Sequence, residues 1–129
     1  MQKARILIIG QEKDSAYALR NVFEIERHEI ELALQLDVAK TILRERWIDL
    51  VVLDPAVCLE DDFDLIDFQL DHGLEVPLVI VGGESTGVRR RIRSRGGIKV
   101  HTCPADGFKL LDLIRDLILS GELSLGRGP

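Results

Sequence analysis

Cysteine is scarce in this chain, with Cys58 and Cys103 its only two. Two thiols so placed build no disulfide framework, so stability has to come from apolar packing. Histidine is nearly as thin. His28, His72 and His101 are scattered at no ligand spacing, which leaves no metal site and no obvious general base. No apolar run approaches the roughly 18 residues that a spanning helix needs, so a membrane span is excluded. Met1-Gln2-Lys3-Ala4-Arg5 leads straight into apolar sequence without an export h-region or cleavage site, and the expected address is the cytoplasm. Gly82-Gly83 and Gly96-Gly97 fit neither G-x-G-x-x-G nor a P-loop, which removes the common nucleotide cradles. Internal repeats and low-complexity segments are absent. What is present is ordinary for a globular protein: 129 residues, 46% hydrophobic and 30% charged, enough for one domain with a real core. The net charge of −5 argues against a nucleic-acid surface covering the whole domain.

The apolar pattern alternates between strand and helix periods along the chain. Arg5 to Ile9 is a continuous apolar strand, followed at helical spacing by Ala16, Leu19, Val22 and Phe23, with Asp14 or Ser15 as the expected cap. Ile30, Leu32 and Leu34 alternate with Glu29, Glu31 and Ala33, a less buried strand. Asp37 then precedes a helix with Val38, Ile42 and Leu43 inward. A third apolar run from Ile48 closes on Asp54 and Pro55. Glu60-Asp61-Asp62 leads a helix carrying Phe63, Ile66 and Leu70, its first acids opposing the positive end of the helix dipole. Pro77 opens the strand Leu78 to Val81. A polar helix from about Ser85 to Arg95 is followed by Gly96-Gly97, a short strand from Ile98 to Thr102, and a last helix from about Ala105 to Ser120. The last helix is expected to turn Phe108, Leu111, Ile114 and Ile118 inward. Near-continuous apolar strands alternating with helices predict an α/β fold: a doubly wound, five-stranded parallel sheet with five helices.

Asp54 stands where such sheets place their functional groups, at the carboxyl end of a buried strand. Around it, from about Lys3 to Ser120, the chain resembles the response-regulator receiver domains, in which the matching aspartate accepts a phosphoryl group. The resemblance implies strand order 2-1-3-4-5, the flavodoxin-like arrangement. It also implies that the acidic pair holding magnesium after the first strand falls here on Gly10 and Gln11, neither of them a carboxylate. Magnesium takes hard oxygen ligands, usually one or two carboxylates. Glu12 would reach the site only through a shifted loop. The hydroxyl residue after the fourth strand falls on Gly82, and the lysine before a proline after the fifth strand falls on Cys103, with Pro104 retained. The aromatic switch position falls on Val100. Of the polar groups that the chemistry uses, Asp54 alone remains, and losing metal and lysine together is worth at least ~10³-fold in phosphoryl transfer.

Two further features have both a plain and a functional reading. Arg89, Arg90, Arg91, Arg93, Arg95 and Lys99 crowd the fourth helix and the segment after it. They are either a solvated surface or a docking face for an acidic partner or nucleic-acid phosphate. Cys58 and Cys103 are expected as free thiols near the carboxyl edge, with a redox switch as the other reading.

The sequence thus points to a degenerate receiver, residues 1–120, with a tail at 121–129 leading toward a possible output domain. Such a module would serve a two-component-type or transcription regulator without being an enzyme. Its expected partners are a protein or a second copy, met on the fourth-helix to fifth-helix face; neither membrane nor direct nucleic-acid binding is expected. No cofactor is implied. Two alternatives stay open. One is a phosphorylation-competent receiver that uses magnesium and Asp54. The other is a small flavodoxin-like ligand-binding domain or enzyme with a pocket over Gly10, Gly82 and Gly83.

Overall fold

The computed structural model describes residues 3–10, 12–53, 62–82, 98–104 and 106–123, with side chains from Leu65 onward in the third helix. In chain order the elements are β1 (Arg5–Ile9), α1 (Lys13–Glu24), β2 (Glu29–Ala33), α2 (Leu36–Glu45), β3 (Leu50–Leu53), α3 (Asp62–Asp71), β4 (Leu78–Val81), β5 (Val100–Cys103) and α4 (Gly107–Leu119). The five strands form one sheet in the order β2-β1-β3-β4-β5, and every pairing is parallel. The helix expected at about Ser85 to Arg95 lies outside the described residues.

The pleat sends successive side chains to opposite faces, so each apolar strand supplies two cores. Ile6, Ile8, Leu50, Val52, Val79 and Val81 face Ala16 and Phe23 of α1 and Leu110, Ile114 and Leu117 of α4. Leu7, Ile9, Val51, Leu53, Leu78 and Ile80 face Ala39 and Leu43 of α2 and Leu65 and Ile66 of α3. The double winding expected from continuous apolar strands is therefore present in the packing itself. α1 and α4 approach closely at Gly107, where an added Cβ would stand 3.0 Å from Val22 Cγ2.

Several helix faces differ from the expectation. Phe108 is 82% exposed, and the inward positions of α4 are Leu110, Leu111, Ile114 and Leu117. Phe108 lies two residues before Leu110, about 200° around the helix, and so points away from the sheet. In α2, Val38 is exposed and Ala39 takes the inward place; in α3, Leu70 is exposed and Gln69 is buried. The cap of α1 also differs. Glu12 occupies the N-cap without a side-chain hydrogen bond, and Asp14 lies in the first turn as a dipole-opposing acid. At α4, Asp106 does cap: its Oδ1 accepts the amides of Phe108 at 2.9 Å and Lys109 at 3.3 Å. After α4, Gly121 takes φ +82 and the chain turns so that Leu123 is buried against the core.

His28 ties the start of β2 to the start of β1. Its Nδ1 accepts the Ala4 amide at 3.0 Å, while its buried Nε2 has no hydrogen-bond partner and lies 3.8 Å from Glu26. Burial pushes the imidazole below its ordinary value of 6.5, with Glu26 opposing. Protonation would also place a hydrogen on Nδ1 and remove the Ala4 bond. The folded pKa is the lower one, so the unfolded chain binds the proton more readily. This contribution to stability is complete above pH about 6.5 and is lost as pH falls through the folded value. Urea unfolding at a series of pH values should show that decline, and His28→Gln should flatten it.

Candidate functional site

The parallel register brings the carboxyl ends of β1, β3, β4 and β5 to one edge, with Ile9 beside Leu53, Leu53 beside Ile80, and Val81 beside Cys103. Of the residues expected there, Gly10, Gly82, Cys103 and Pro104 are described. Gln11, Asp54, Cys58 and Gly83 lie outside the described residues, as do Arg89, Arg90, Arg91, Arg93 and Arg95. Gly10 continues β1, and its amide donates to the Ala33 carbonyl at 3.0 Å. Gly82 follows β4 directly at φ +70, with its amide donating to the Cys103 carbonyl at 2.7 Å.

That conformation matters chemically. A positive φ suits glycine, and a β-branched threonine there would be strained by at least ~1 kcal/mol. The backbone at this corner is therefore shaped for a residue without a side chain. Cys103 is a free thiol, 6% exposed, at the last position of β5. Burial and then the nearby Asp106 push its pKa up, with Lys109 pulling weakly the other way. A thiol held in its neutral form is a poor nucleophile and a poor metal ligand. It carries no positive charge that could pair with a carboxylate or a phosphoryl oxygen. Val100, at the expected switch position, is partly buried against the α2/α3 core. Among the described residues no group of three or more His, Cys, Asp or Glu side chains could hold a metal ion.

The fold of this edge has many counterparts of known structure. A response-regulator signal receiver domain from Bermanella marisrubri superposes with a TM-score of 0.73 at 23% identity, covering 91% of this chain and 99% of that one. A Francisella response-regulator receiver domain gives 0.76 at 18% identity over 92% and 99%. The chain has the receiver fold. No protein-family model and no curated protein sequence matches it. The receiver fold is also approached by a de novo designed Rossmann 2x3 protein, at a TM-score of 0.64 and 20% identity over 98% of this chain and 96% of the design. The arrangement alone therefore carries no activity.

The opposite, amino edge of this receiver fold holds a cleft of about 380 Å³, lined among others by Arg46, Trp47, Asp49, Pro77, Lys99 and Glu122. Of its charged groups, Arg46, Asp49, Lys99 and Glu122 already have partners, and Glu75 is exposed. Arg46 pairs with Glu31, and Lys99 Nζ lies 3.7 Å from Glu122, whose other oxygen is 2.8 Å from His101 Nε2. Asp49 is buried, with Oδ2 accepting the Arg5 amide at 2.8 Å and Oδ1 the Trp47 indole at 2.7 Å. Such a cleft offers little unsatisfied polarity to a ligand. Asp49 is not among the residues singled out from the sequence, although a lone acid opening an apolar run is a signal that could have found it. Among the described residues no helix is long and apolar enough to cross a membrane.

Proposed function

We propose that this chain is a receiver-type signalling module in which phosphoryl chemistry has been given up and output runs through protein contacts. Its setting is a two-component-type or transcription regulator, and its partner is a protein or a second copy. The observation that carries this reading is Gly82. At the corner where a receiver resemblance implies a phosphoryl-binding hydroxyl, the backbone adopts φ +70, which disfavours any side chain that could supply one. The buried neutral thiol of Cys103, in the place of the expected lysine, agrees with it. So do Gly10 and Gln11, where the expected magnesium ligands have no carboxylate. Negative charge on a phosphorylated Asp54 would lack the two cations, metal and lysine, that the receiver resemblance implies for offsetting it. Titration with magnesium and beryllofluoride tests this, because the fluoride mimics an acyl phosphate only where metal and acceptor cooperate. Amide resonances around Asp54 should stay in place.

A further inference from the structure

The chain leaves α4 along a fixed path. Gly121 takes φ +82, and the amides of Glu122 and Leu123 both donate to the Leu117 carbonyl, at 3.1 and 3.4 Å. The Glu122 carboxylate bridges Lys99 Nζ at 3.7 Å and His101 Nε2 at 2.8 Å, and Leu123 is buried. These contacts hold the end of the described chain at the amino edge of the sheet, where Glu122 itself lines the cleft. The wall of that cleft is apolar at Trp47, Leu74, Val76 and Pro77. Trp47 is 36% exposed and is the only tryptophan in the chain. Asp49, Glu75 and Glu122, set against Arg46 and Lys99, leave the lining with one acid in excess. That acid is Glu75, which has no ion pair or hydrogen bond among the described residues. The segment that follows, Ser124-Leu125-Gly126-Arg127-Gly128-Pro129, lies outside the described residues. It carries one large apolar side chain, Leu125, and one charge, the positive charge of Arg127.

We propose that the amino-edge cleft docks this chain's own segment 124–129, with Leu125 on the apolar wall beside Trp47 and Arg127 on Glu75. Reach permits it, since extended chain covers about 7 Å from Leu123 to Leu125 and about 14 Å from Leu123 to Arg127. At about 380 Å³ the cleft is near the lower end of ligand-pocket volumes, too small for the roughly 800 Å² that a folded partner covers. Tethering decides among the smaller occupants. A segment joined to the rim of the cleft by two residues has an effective concentration on the order of millimolar, so it fills the cleft ahead of a second copy's tail or a dilute peptide. Leu125 gains the apolar wall, and Arg127 offsets the excess acid while the Lys99–Glu122 and Arg46–Glu31 pairs stay in place. A docked tail joins the α2–β3 and α3–β4 turns to the end of α4 and shields the cleft from outside ligands. Such docking goes beyond the phosphoryl reading and does not depend on it.

NMR of the full chain reads this directly. Through-space contacts are expected between the Leu125 methyls and the Trp47 indole protons. In a mixture of isotope-labelled and unlabelled chains they should be confined to single chains. Fluorescence of Trp47 gives a second readout: Leu125→Asp should shift its emission to the red and increase its quenching by acrylamide. Arg127→Glu and Glu75→Arg should each increase quenching by less, as an exposed ion pair contributes little. The double variant, with the two charges exchanged, should return toward wild type. Circular dichroism melts establish that each variant folds. Absence of Leu125–Trp47 contacts overturns the proposal, as does quenching indifferent to Leu125→Asp. Contacts found only between chains overturn it as well, and make a second copy's tail the occupant. A double variant no nearer wild type than its parents removes the Glu75–Arg127 pairing.

Discussion

Gln69→Ala should destabilise the domain by about 4 kcal/mol, enough to lower the melting temperature by more than about 10 °C. Gln69 is fully buried in α3, beneath the segment that leads into β4. Its Oε1 accepts the Val76 amide at 2.8 Å, and its Nε2 donates to the Val76 carbonyl at 3.4 Å. The side chain thus behaves as a short piece of backbone that satisfies both polar groups of one residue. Alanine leaves those groups without partners and leaves a cavity beside Leu65 and Ile66. Gln69→Leu fills most of the volume and restores neither hydrogen bond, so it should cost about 2 kcal/mol. Chemical denaturation of the two variants separates the terms. Equal losses would mean that the hydrogen bonds, and not the filled volume, are what Gln69 provides. Amide exchange at Val76 should accelerate in both.

Asp49→Ala should cost about 3 kcal/mol and Asp49→Asn about 1 kcal/mol, measured in the same way. Asp49 and Arg5 are joined twice: the Asp49 amide donates to the Arg5 carbonyl at 2.8 Å, and the Arg5 amide donates to the carboxylate at 2.8 Å. The second oxygen holds the Trp47 indole. Alanine orphans the Arg5 amide and releases Trp47, whereas asparagine keeps one acceptor for one of the two donors. Trp47 fluorescence should therefore change in the native state of Asp49→Ala before any unfolding. An unchanged emission spectrum would show that the carboxylate does not position the indole.

These two residues also mark where the sequence stops being legible. The strands were readable because Ile6–Ile9, Leu50–Leu53 and Leu78–Val81 are apolar on both faces, and only a sheet covered on both sides uses such runs. The strand order needed the receiver resemblance, since periodicity says nothing of neighbours. Helix faces were less legible. Phe108 reads as core by residue type, but its angle relative to Leu110, Ile114 and Leu117 puts it in solvent. Gln69 reads as surface by residue type, yet the loop over it needs its amide. In both cases the side chain's chemistry is local, and the partner that decides its direction lies outside the local pattern.

The candidate site was legible in a different sense, as a set of missing groups. Gly10, Gln11, Gly82 and Cys103 are uninformative residues by themselves and acquire meaning only beside the receiver pattern. What no sequence pattern supplied is the φ of Gly82, which turns a missing hydroxyl into a backbone that disfavours one. The raised pKa of the Cys103 thiol was equally hidden, because it depends on burial and on Asp106 across the β5–α4 turn.

Loss of phosphoryl chemistry is best tested by amide NMR of the 129-residue chain during titration with magnesium and beryllofluoride, with Asp54→Ala as control. No change is expected around Asp54, Gly82 or Cys103, and spectra of wild type and variant should superimpose away from the mutated position. Saturable shifts at those residues that require magnesium and vanish in Asp54→Ala would contradict this. They would show an acceptor and a metal site still cooperating at the carboxyl edge of the sheet.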